Sequence, residues 1–294
     1  MQMLENGVKI FQMRAGFRNS GQASLSEIAA GDICFYRFIG GNPSETTEMV
    51  NDLLALKRTK TLLIGLFRFP FRFEGKRRLQ TAIEQYYRMR DLSSAIVYFH
   101  SDGMMAMIDP KIPIQQANYI FHSYEDRVIQ SLKNIIETPG EMNIDTKDIQ
   151  TFILAQSGPI FFHSFEGETF DEPLKYAIAT PYLADDFADG KQMIINIGCA
   201  RDVDMDAYRQ MNLRLHDLFH KADLFKLGTH FIDEPGHRFK ITLLINGIQD
   251  PFPRPDHMKR FSWKKLFRVR PQKVGRHVDH VEKKQAYKGG LTNQ

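Results

Sequence analysis

The sequence predicts an α/β fold in which a mostly parallel sheet, flanked by helices, is joined by a long central helix to an α+β unit. Three observations support this prediction. Short apolar runs alternate with helical patterns early in the chain, one unusually long amphipathic helix follows, and a second alternation comes after it. With 294 residues, 43% of them hydrophobic, the chain can bury a substantial core.

The first unit is predicted to contain three strands and two helices. Each strand is a short apolar run, and each helix has apolar residues at helical spacing. The predicted strands are 33–39, 62–67 and 95–99, and the predicted helices are 47–56 and 75–90. This alternation is typical of a parallel sheet, because parallel strands need crossover connections that are usually helices.

The central helix is predicted to begin at Pro113, a residue that is favoured in the first turn of a helix. Its roughly 24 residues would span about 36 Å. Apolar residues recur every three or four positions and so form one face. They are Ile114, Ala117, Phe121, Tyr124, Val128, Leu132 and Ile135.

The second unit is predicted to contain four strands and two helices. The strands are 159–162, 193–197, 226–232 and 239–245, and the helices are 173–183 and 204–220. The sequence Asp233-Glu-Pro-Gly236 is typical of a β-turn, so we expect the last two strands to form a hairpin.

The C-terminal part differs from the rest of the chain in composition. Three prolines in Asp250-Pro-Phe-Pro-Arg-Pro255 predict an extended linker, so the domain boundaries are 1–110, 111–138, 139–248 and 249–294. From residue 254 onward, 12 Lys and Arg stand against 3 Asp and Glu, a net charge of +9. Because the whole chain carries +4, residues 1–253 carry about −5. The last domain is therefore a flexible basic tail.

Cysteine usage and hydropathy indicate the compartment. Cys34 and Cys199 lie far apart in apolar runs, as buried thiols do, and a reducing cytoplasm is the expected environment. No stretch reaches the roughly 18 apolar residues of a spanning helix, and the N-terminus has no cleavage signal. We expect a cytoplasmic protein, neither secreted nor transmembrane, either free or peripheral at the inner face of the membrane.

Two motifs carry a resemblance to a known family. Residues 68–78 contain Pro70-Phe-Arg-Phe-Glu-Gly75, and a second motif, Asn143-Ile-Asp-Thr-Lys-Asp148, follows the central helix. Both resemble signatures of the tubulin/FtsZ family, the second its synergy loop, and the order of elements stays in register from about 31 to 247. The resemblance implies a truncated, Rossmann-like GTPase domain and an FtsZ-type C-terminal domain.

Departures from the family pattern concern nucleotide binding. In the family a glycine-rich strand, loop and helix precede this region, and we expect residues 1–30 to be too few to supply them. A second phosphate loop aligns with residues 41–47, where Gly40 and Gly41 remain. Pro43 removes a backbone donor and Glu45 places a carboxylate where phosphate should lie, which weakens an anion site.

Other nucleotide contacts that the resemblance implies are only partly retained. Asn118 and His122 occupy the positions that contact guanine in the family, and neutral His cannot accept two N–H donors as Asp does. Glu74 and Arg78 match positions that contact ribose and phosphate, although they could equally be solvated charges at a helix start. GTP is therefore a doubtful cofactor, and Mg²⁺ is expected only with GTP.

The resemblance assigns an in-trans catalytic role to Asn143, Asp145 and Asp148. In FtsZ-like filaments this loop inserts into the nucleotide site of the next subunit, where the acidic pair polarises the attacking water. The alternative is purely structural, because Asn143 or Asp145 could cap the helix that begins nearby.

The tail suggests membrane binding. Trp263, Leu266 and Phe267 fall at helical spacing among the cations Lys264, Lys265 and Arg268, as in a short amphipathic helix on an anionic membrane. The alternatives are a solvated tail or one docked on the acidic body. Nucleic acid is a weaker candidate partner because the body has no recognition motif.

No metal site is predicted. His216 and His220 have the spacing of a zinc-binding helix, but no third ligand is evident and histidines are favoured in a last helical turn for other reasons.

Two functions remain open, as does the origin of the chain. The favoured function is a degenerate FtsZ-like protein that docks on or caps filaments of FtsZ or another tubulin-like subunit through the 143–148 segment. The alternative is a divergent GTPase that binds GTP and polymerises by itself. The chain could also be a truncated copy of a longer gene.

Overall fold

The computed structural model describes residues 2–3, 8–17, 25–138, 140, 142–156, 158–233 and 238–259. Residues 1–255 form one compact unit, and residues 256–294 form a second. Within the second unit the described part is helix Asp256–Lys259. The predicted membrane-binding residues Trp263 to Arg268 lie outside the described residues.

The first sheet has five strands in sequence order. They are β1 (Gln2–Met3), β2 (Lys9–Arg14), β3 (Ile33–Ile39), β4 (Leu62–Phe69) and β5 (Ala95–His100). Strands β2 to β5 run parallel, and β1 is antiparallel to β2. The predicted parallel sheet is confirmed, and its helices are α1 (Thr46–Arg58), α2 (Lys76–Leu92) and α3 (Ser101–Ala106).

The long helix α4 spans Ile114–Glu137 and has 24 residues. Its predicted apolar face is buried at Phe121, Tyr124, Val128, Leu132 and Ile135, whereas Ile114 is exposed at the free end of the helix. A long helix of this kind is stabilised mainly by packing of that face. Short helix α5 (Thr146–Ala155) follows it directly.

The second sheet has the strand order β6, β9, β7, β8. Its strands are β6 (Ile160–Gly167), β7 (Gln192–Ala200), β8 (Leu224–Ile232) and β9 (Phe239–Asn246), and its helices are α6 (Glu172–Ala179) and α7 (Met205–Leu218). The predicted β8–β9 hairpin is wrong. Strand β9 pairs with β6 and β7, and β8 instead runs parallel to β7 after the α7 crossover. The sheet places β7 between the two strands that are neighbours in sequence.

The proline-rich stretch, which the sequence predicts to begin a linker, packs instead on α2 and β4. Three of its contacts are with α2: Asp250 accepts from the Tyr86 hydroxyl (2.8 Å), the Phe252 carbonyl accepts from the Tyr87 hydroxyl (2.5 Å) and Arg254 pairs with Asp91. The prolines exclude a β-ladder here, but they leave the carbonyls and side chains free to bind the helix. In the part of the chain that the structure describes, no helix has the length and hydropathy needed to cross a membrane.

Candidate functional site

The upper loop, residues 41–45, leaves the carboxyl end of β3 and enters α1, the place where parallel sheets usually bind ligands. Three of its backbone N–H groups, those of Gly41, Ser44 and Glu45, are engaged within the protein. Gly41 donates to the Gln85 side chain (2.7 Å), and Ser44 and Glu45 donate to the side chain and carbonyl of Asn42. Pro43 has no N–H to offer.

Side chains fill the remaining space of this loop. The Asn42 amide donates to the Glu45 carboxylate (2.7 Å), so both lie within the loop. Gly41 has a φ of +113°, and a Cβ placed there would lie 2.5 Å from Cγ of Arg78. The Arg78 side chain therefore packs directly against Gly41, and a residue with a Cβ does not fit at this position.

Glu74 and Arg78 pair with each other. Their side chains are 2.8 Å apart in an i, i+4 ion pair at the start of α2, and the Glu74 carboxylate also accepts from the Phe71 N–H (2.9 Å). Arg78 thus contacts both Gly41 and Glu74, and the nucleotide-binding role of Gly40, Gly41, Glu74 and Arg78 stays a prediction. Both charged groups already have partners inside the protein.

The predicted guanine-contact positions lie on the first turns of α4. Asn118 is exposed, and His122 is half-buried with Nδ1 3.4 Å from the Glu125 carboxylate. Beneath them is a buried charge cluster that the sequence analysis did not identify. Glu125 lies 3.6 Å from Arg37 of β3 and 3.5 Å from Arg68 of β4.

The charge cluster fixes α4 against the first sheet. Both arginines are 6% exposed and Glu125 is 4% exposed, and an Nη1 atom of each arginine has no hydrogen-bond partner. Burial lowers the pKa of Arg68, and Glu125 opposes that change. In the sequence, Arg37 and Arg68 are single cations inside apolar runs. Their partner could not be predicted, because Glu125 lies on a helix 57 or more residues away.

The lower segment, residues 140–148 without residue 141, which lies outside the described residues, connects α4 to α5. The Gln150 side chain of α5 donates to the Gly31 carbonyl just before β3, whereas the upper loop follows the carboxyl end of β3. The Gly140 N–H donates to the Asn143 side chain (2.7 Å), and Met142 forms a bridge with Thr229 of β8. A Cβ at Gly140 would lie 1.7 Å from the Thr229 carbonyl oxygen, so glycine is required. Ile144 is 4% exposed and anchors the segment.

Asp145 and Asp148 form a reciprocal capping box at the start of α5. The Asp148 N–H donates to Asp145 (2.7 Å), and the Asp145 N–H donates to Asp148 (3.1 Å). The Asp148 carboxylate also pairs with Lys226 of β8. Burial alone would raise the pKa of Asp148, but the Lys226 ammonium and the Asp145 N–H hold it below its usual range.

The three predicted in-trans residues therefore lie together at one end of the unit. Asn143 and Asp145 are exposed and Asp148 is half-exposed, so another molecule could reach them. The capping box engages one carboxylate oxygen of Asp145 and one of Asp148. Carboxylates of this kind can accept protons from a bound water.

Comparison with known proteins finds relatives at low sequence identity. No family model matches the sequence. The cell division protein FtsZ of Aquifex aeolicus is 24% identical over 168 residues, covering 56% of this chain and 46% of the relative. FtsZ of Methanothermobacter thermautotrophicus is 22% identical over 231 residues, covering 77% of this chain and 60% of the relative. The chain thus spans less than two thirds of either relative.

Solved structures share the fold. An FtsZ W319Y mutant from M. jannaschii has a TM-score of 0.65 at 18% identity, covering 82% of this chain and 73% of that one. A GDP-form protofilament of TubZ from Bacillus thuringiensis has a TM-score of 0.59 at 10% identity, covering 75% and 65%. The chain is therefore similar in sequence to FtsZ proteins and shares the fold of FtsZ and TubZ.

The similarity to FtsZ in sequence and fold agrees with the resemblance that the two motifs carried. Three contacts of the site could not be inferred from the motifs. Gly41 of the upper loop contacts Gln85 and Arg78, and Asp148 pairs with Lys226. Each pairs residues that are far apart in sequence. Among the described residues, no group of three or more His, Cys, Asp or Glu side chains is placed to hold a metal ion.

Proposed function

We propose that this chain docks on the nucleotide-bearing face of FtsZ or another tubulin-like subunit through its lower segment, and that it holds no GTP of its own. It would thereby cap or modulate filaments of that partner. The observation that carries the proposal is the contrast between the two ends. Three donors of the upper loop are engaged within the chain, whereas Asn143 and Asp145 of the lower segment are exposed.

The residues of the upper loop do not fit GTP. A phosphate loop binds by turning free N–H groups toward the anion, and here Gly41, Ser44 and Glu45 already donate elsewhere. The Glu45 carboxylate adds repulsion toward a triphosphate. Because Mg²⁺ would arrive with GTP, the same argument speaks against Mg²⁺ at this loop.

Co-sedimentation with GTP-assembled FtsZ filaments tests the docking. The full chain should pellet with the filaments, and Met142→Arg, which changes an exposed side chain of the lower segment, should weaken binding at least tenfold, about 1.4 kcal/mol. Tyr119→Arg is the matched control, because Tyr119 is exposed at the upper end and should not matter. Equal pelleting of wild type and Met142→Arg would contradict the proposal.

The alternative function is a GTP-binding, self-polymerising GTPase. One observation favours it, since Gly41, Glu74 and Arg78 meet at the upper loop as a nucleotide site would need. In that case the purified chain would pellet by itself in GTP but not in GDP. Both Met142→Arg and Tyr119→Arg would then abolish pelleting, because each end would form half of the contact.

Membrane association through Trp263, Lys264, Lys265, Leu266, Phe267 and Arg268 is a separate proposal, which the sequence of the tail supports. The full chain should float with vesicles that contain anionic lipid and not with neutral vesicles. Trp263→Ser should reduce flotation, whereas equal flotation with both vesicle types would contradict the proposal.

A further inference from the structure

We propose that Lys226 holds Asp148 in an ion pair that allows the lower segment to dock without activating hydrolysis of the partner's nucleoside triphosphate. This inference rests on the proposed function. It assigns to Lys226 a positioning role, since the lysine acts through Asp148 and not on the nucleotide itself. Three features of the lower segment support it.

The first feature is the occupancy of the carboxylates. One Asp148 oxygen receives both the Lys226 ammonium and the Asp145 N–H, and one Asp145 oxygen receives the Asp148 N–H. To help a water attack, a carboxylate must accept a proton from it. The Asp148 oxygen bound to the ammonium and the amide is a poor acceptor for a further proton, and the adjacent Lys226 charge lowers the basicity of the whole carboxylate.

The second feature is rigidity. Lys226 lies near the start of β8 and is in register with Ile194 of β7. Three residues further along the same strand, Thr229 is bridged to Met142, and its N–H donates to the Met142 carbonyl (3.0 Å). The strand that carries the lysine is thus tied to the segment that carries the aspartate, so the ion pair is built into the fold.

The third feature is accessibility. The side chain of Lys226 is 40% exposed and that of Asp148 is 27% exposed, so the pair borders the surface that would face a docked subunit. An exposed ion pair contributes only about 0–1 kcal/mol to stability. Removal of the lysine should therefore leave the fold intact while it changes the chemistry of the carboxylate.

The reaction at issue is hydrolysis of the terminal phosphoanhydride. The oxygen of a water forms a bond to the γ-phosphorus, the bond between that phosphorus and the β–γ bridging oxygen breaks, and the water's proton is accepted by a carboxylate or by solvent. The products are the nucleoside diphosphate and inorganic phosphate. Because the ionised Asp148 carboxylate is paired with the Lys226 ammonium, it is a weaker proton acceptor on the docking surface.

The test uses the full chain with purified FtsZ held below the concentration at which it assembles alone, with GTP and Mg²⁺. Lys226→Met should raise phosphate release per docked complex by about three- to tenfold, because the Asp148 carboxylate loses its cationic partner and becomes a better proton acceptor. Lys226→Arg keeps the cation and should behave as wild type. If Lys226 had only a structural role, Lys226→Met and Lys226→Arg would release phosphate at the same rate when both dock equally.

Docking is measured in the same samples by co-sedimentation, so the two proposals fail differently. If wild type does not dock, both are overturned. If all variants dock and hydrolysis is the same in each, only the role of Lys226 is overturned. As a check without any partner, NMR titration of Asp148 should give a higher pKa in Lys226→Met than in wild type, and an unchanged pKa would overturn the ion-pair restraint.

Discussion

At the scale of single residues, buried charges determine how α4 meets the first sheet. Glu125 sits between Arg37 and Arg68, with all three side chains almost fully buried. Loss of one partner from such a cluster leaves a buried charge without compensation, which costs far more than the cluster gains in stability. The cluster also includes the exposed Asp126, which pairs with Arg37.

We expect Glu125→Gln to lower the free energy of unfolding by about 3–5 kcal/mol, because two guanidinium groups lose a buried counter-charge. Asp126→Asn is the matched control, because the 59% exposed Asp126 should cost only about 0–1 kcal/mol. Urea unfolding measures both. Similar values for the two variants would show that burial of the cluster does not govern its energetics.

His163 provides a pH-dependent prediction. Complete burial, with a smaller effect from Arg127, lowers the pKa of His163 from 6.5 to about 3, and its Nε2 lies 3.0 Å from the Tyr182 hydroxyl. The folded state thus favours the neutral ring. The stability that this provides is present above pH 6.5, the unfolded value, and is lost as the pH falls from 6.5 toward 3, by about 1.4 kcal/mol per pH unit.

Urea unfolding at pH 7, 6 and 5 checks this prediction. Between the ordinary pKa of histidine and pH 5, wild type should lose about 2 kcal/mol relative to His163→Phe, which has no titrating group at this position. Carboxylates contribute equally to both proteins and cancel in the difference. A constant difference across this range would mean that His163 is protonated as easily in the folded protein as in the unfolded chain.

At the scale of elements, most helices and strands could be predicted from hydrophobic periodicity because that signal is local. The 24-residue helix α4 and strand β3 have the bounds that the sequence indicated, within a residue. Strand β2 was missed because Lys9–Arg14 is short and carries polar residues on an exposed face. The false β8–β9 hairpin arose because a turn signal is local whereas strand pairing is decided by packing of the whole sheet.

The same limit applies to the candidate site. The sequence indicated that Asn143, Asp145 and Asp148 would be adjacent, because they share one short segment. It could not indicate Lys226 or Gln85, which approach the site residues from other elements. Likewise, proline content predicted an extended chain at 250–255 but not the tyrosines of α2 to which that chain binds.

The packed proline-rich stretch is expected to stabilise the first unit. Phe252 contacts Phe69 of β4 with ring centroids 5.0 Å apart and is partly exposed. Phe252→Ala should therefore destabilise the protein by about 1–3 kcal/mol, less than for a fully buried phenylalanine. Pro253→Ala, at an exposed neighbour, is the control and should stay within about 0.5 kcal/mol of wild type. A neutral Phe252→Ala in thermal unfolding would indicate that this stretch is only loosely associated.

At the scale of the whole molecule, the upper loop and the lower segment differ in how far their polar groups are engaged. The upper loop is closed by its own hydrogen bonds and by Arg78, and the lower segment presents accessible polar groups held by β8. In a self-assembling chain both ends would have to be complementary, since a head-to-tail contact uses one of each. A protein with one competent end can join a filament but cannot extend it.

The most direct test of this account is titration of the purified full chain with fluorescent GTP in magnesium buffer, alongside a Glu45→Gly variant. The account predicts no saturable binding below the millimolar range for wild type, because the loop donors are engaged and Glu45 repels phosphate. Saturable binding at micromolar concentration would contradict it and would favour the self-polymerising GTPase instead.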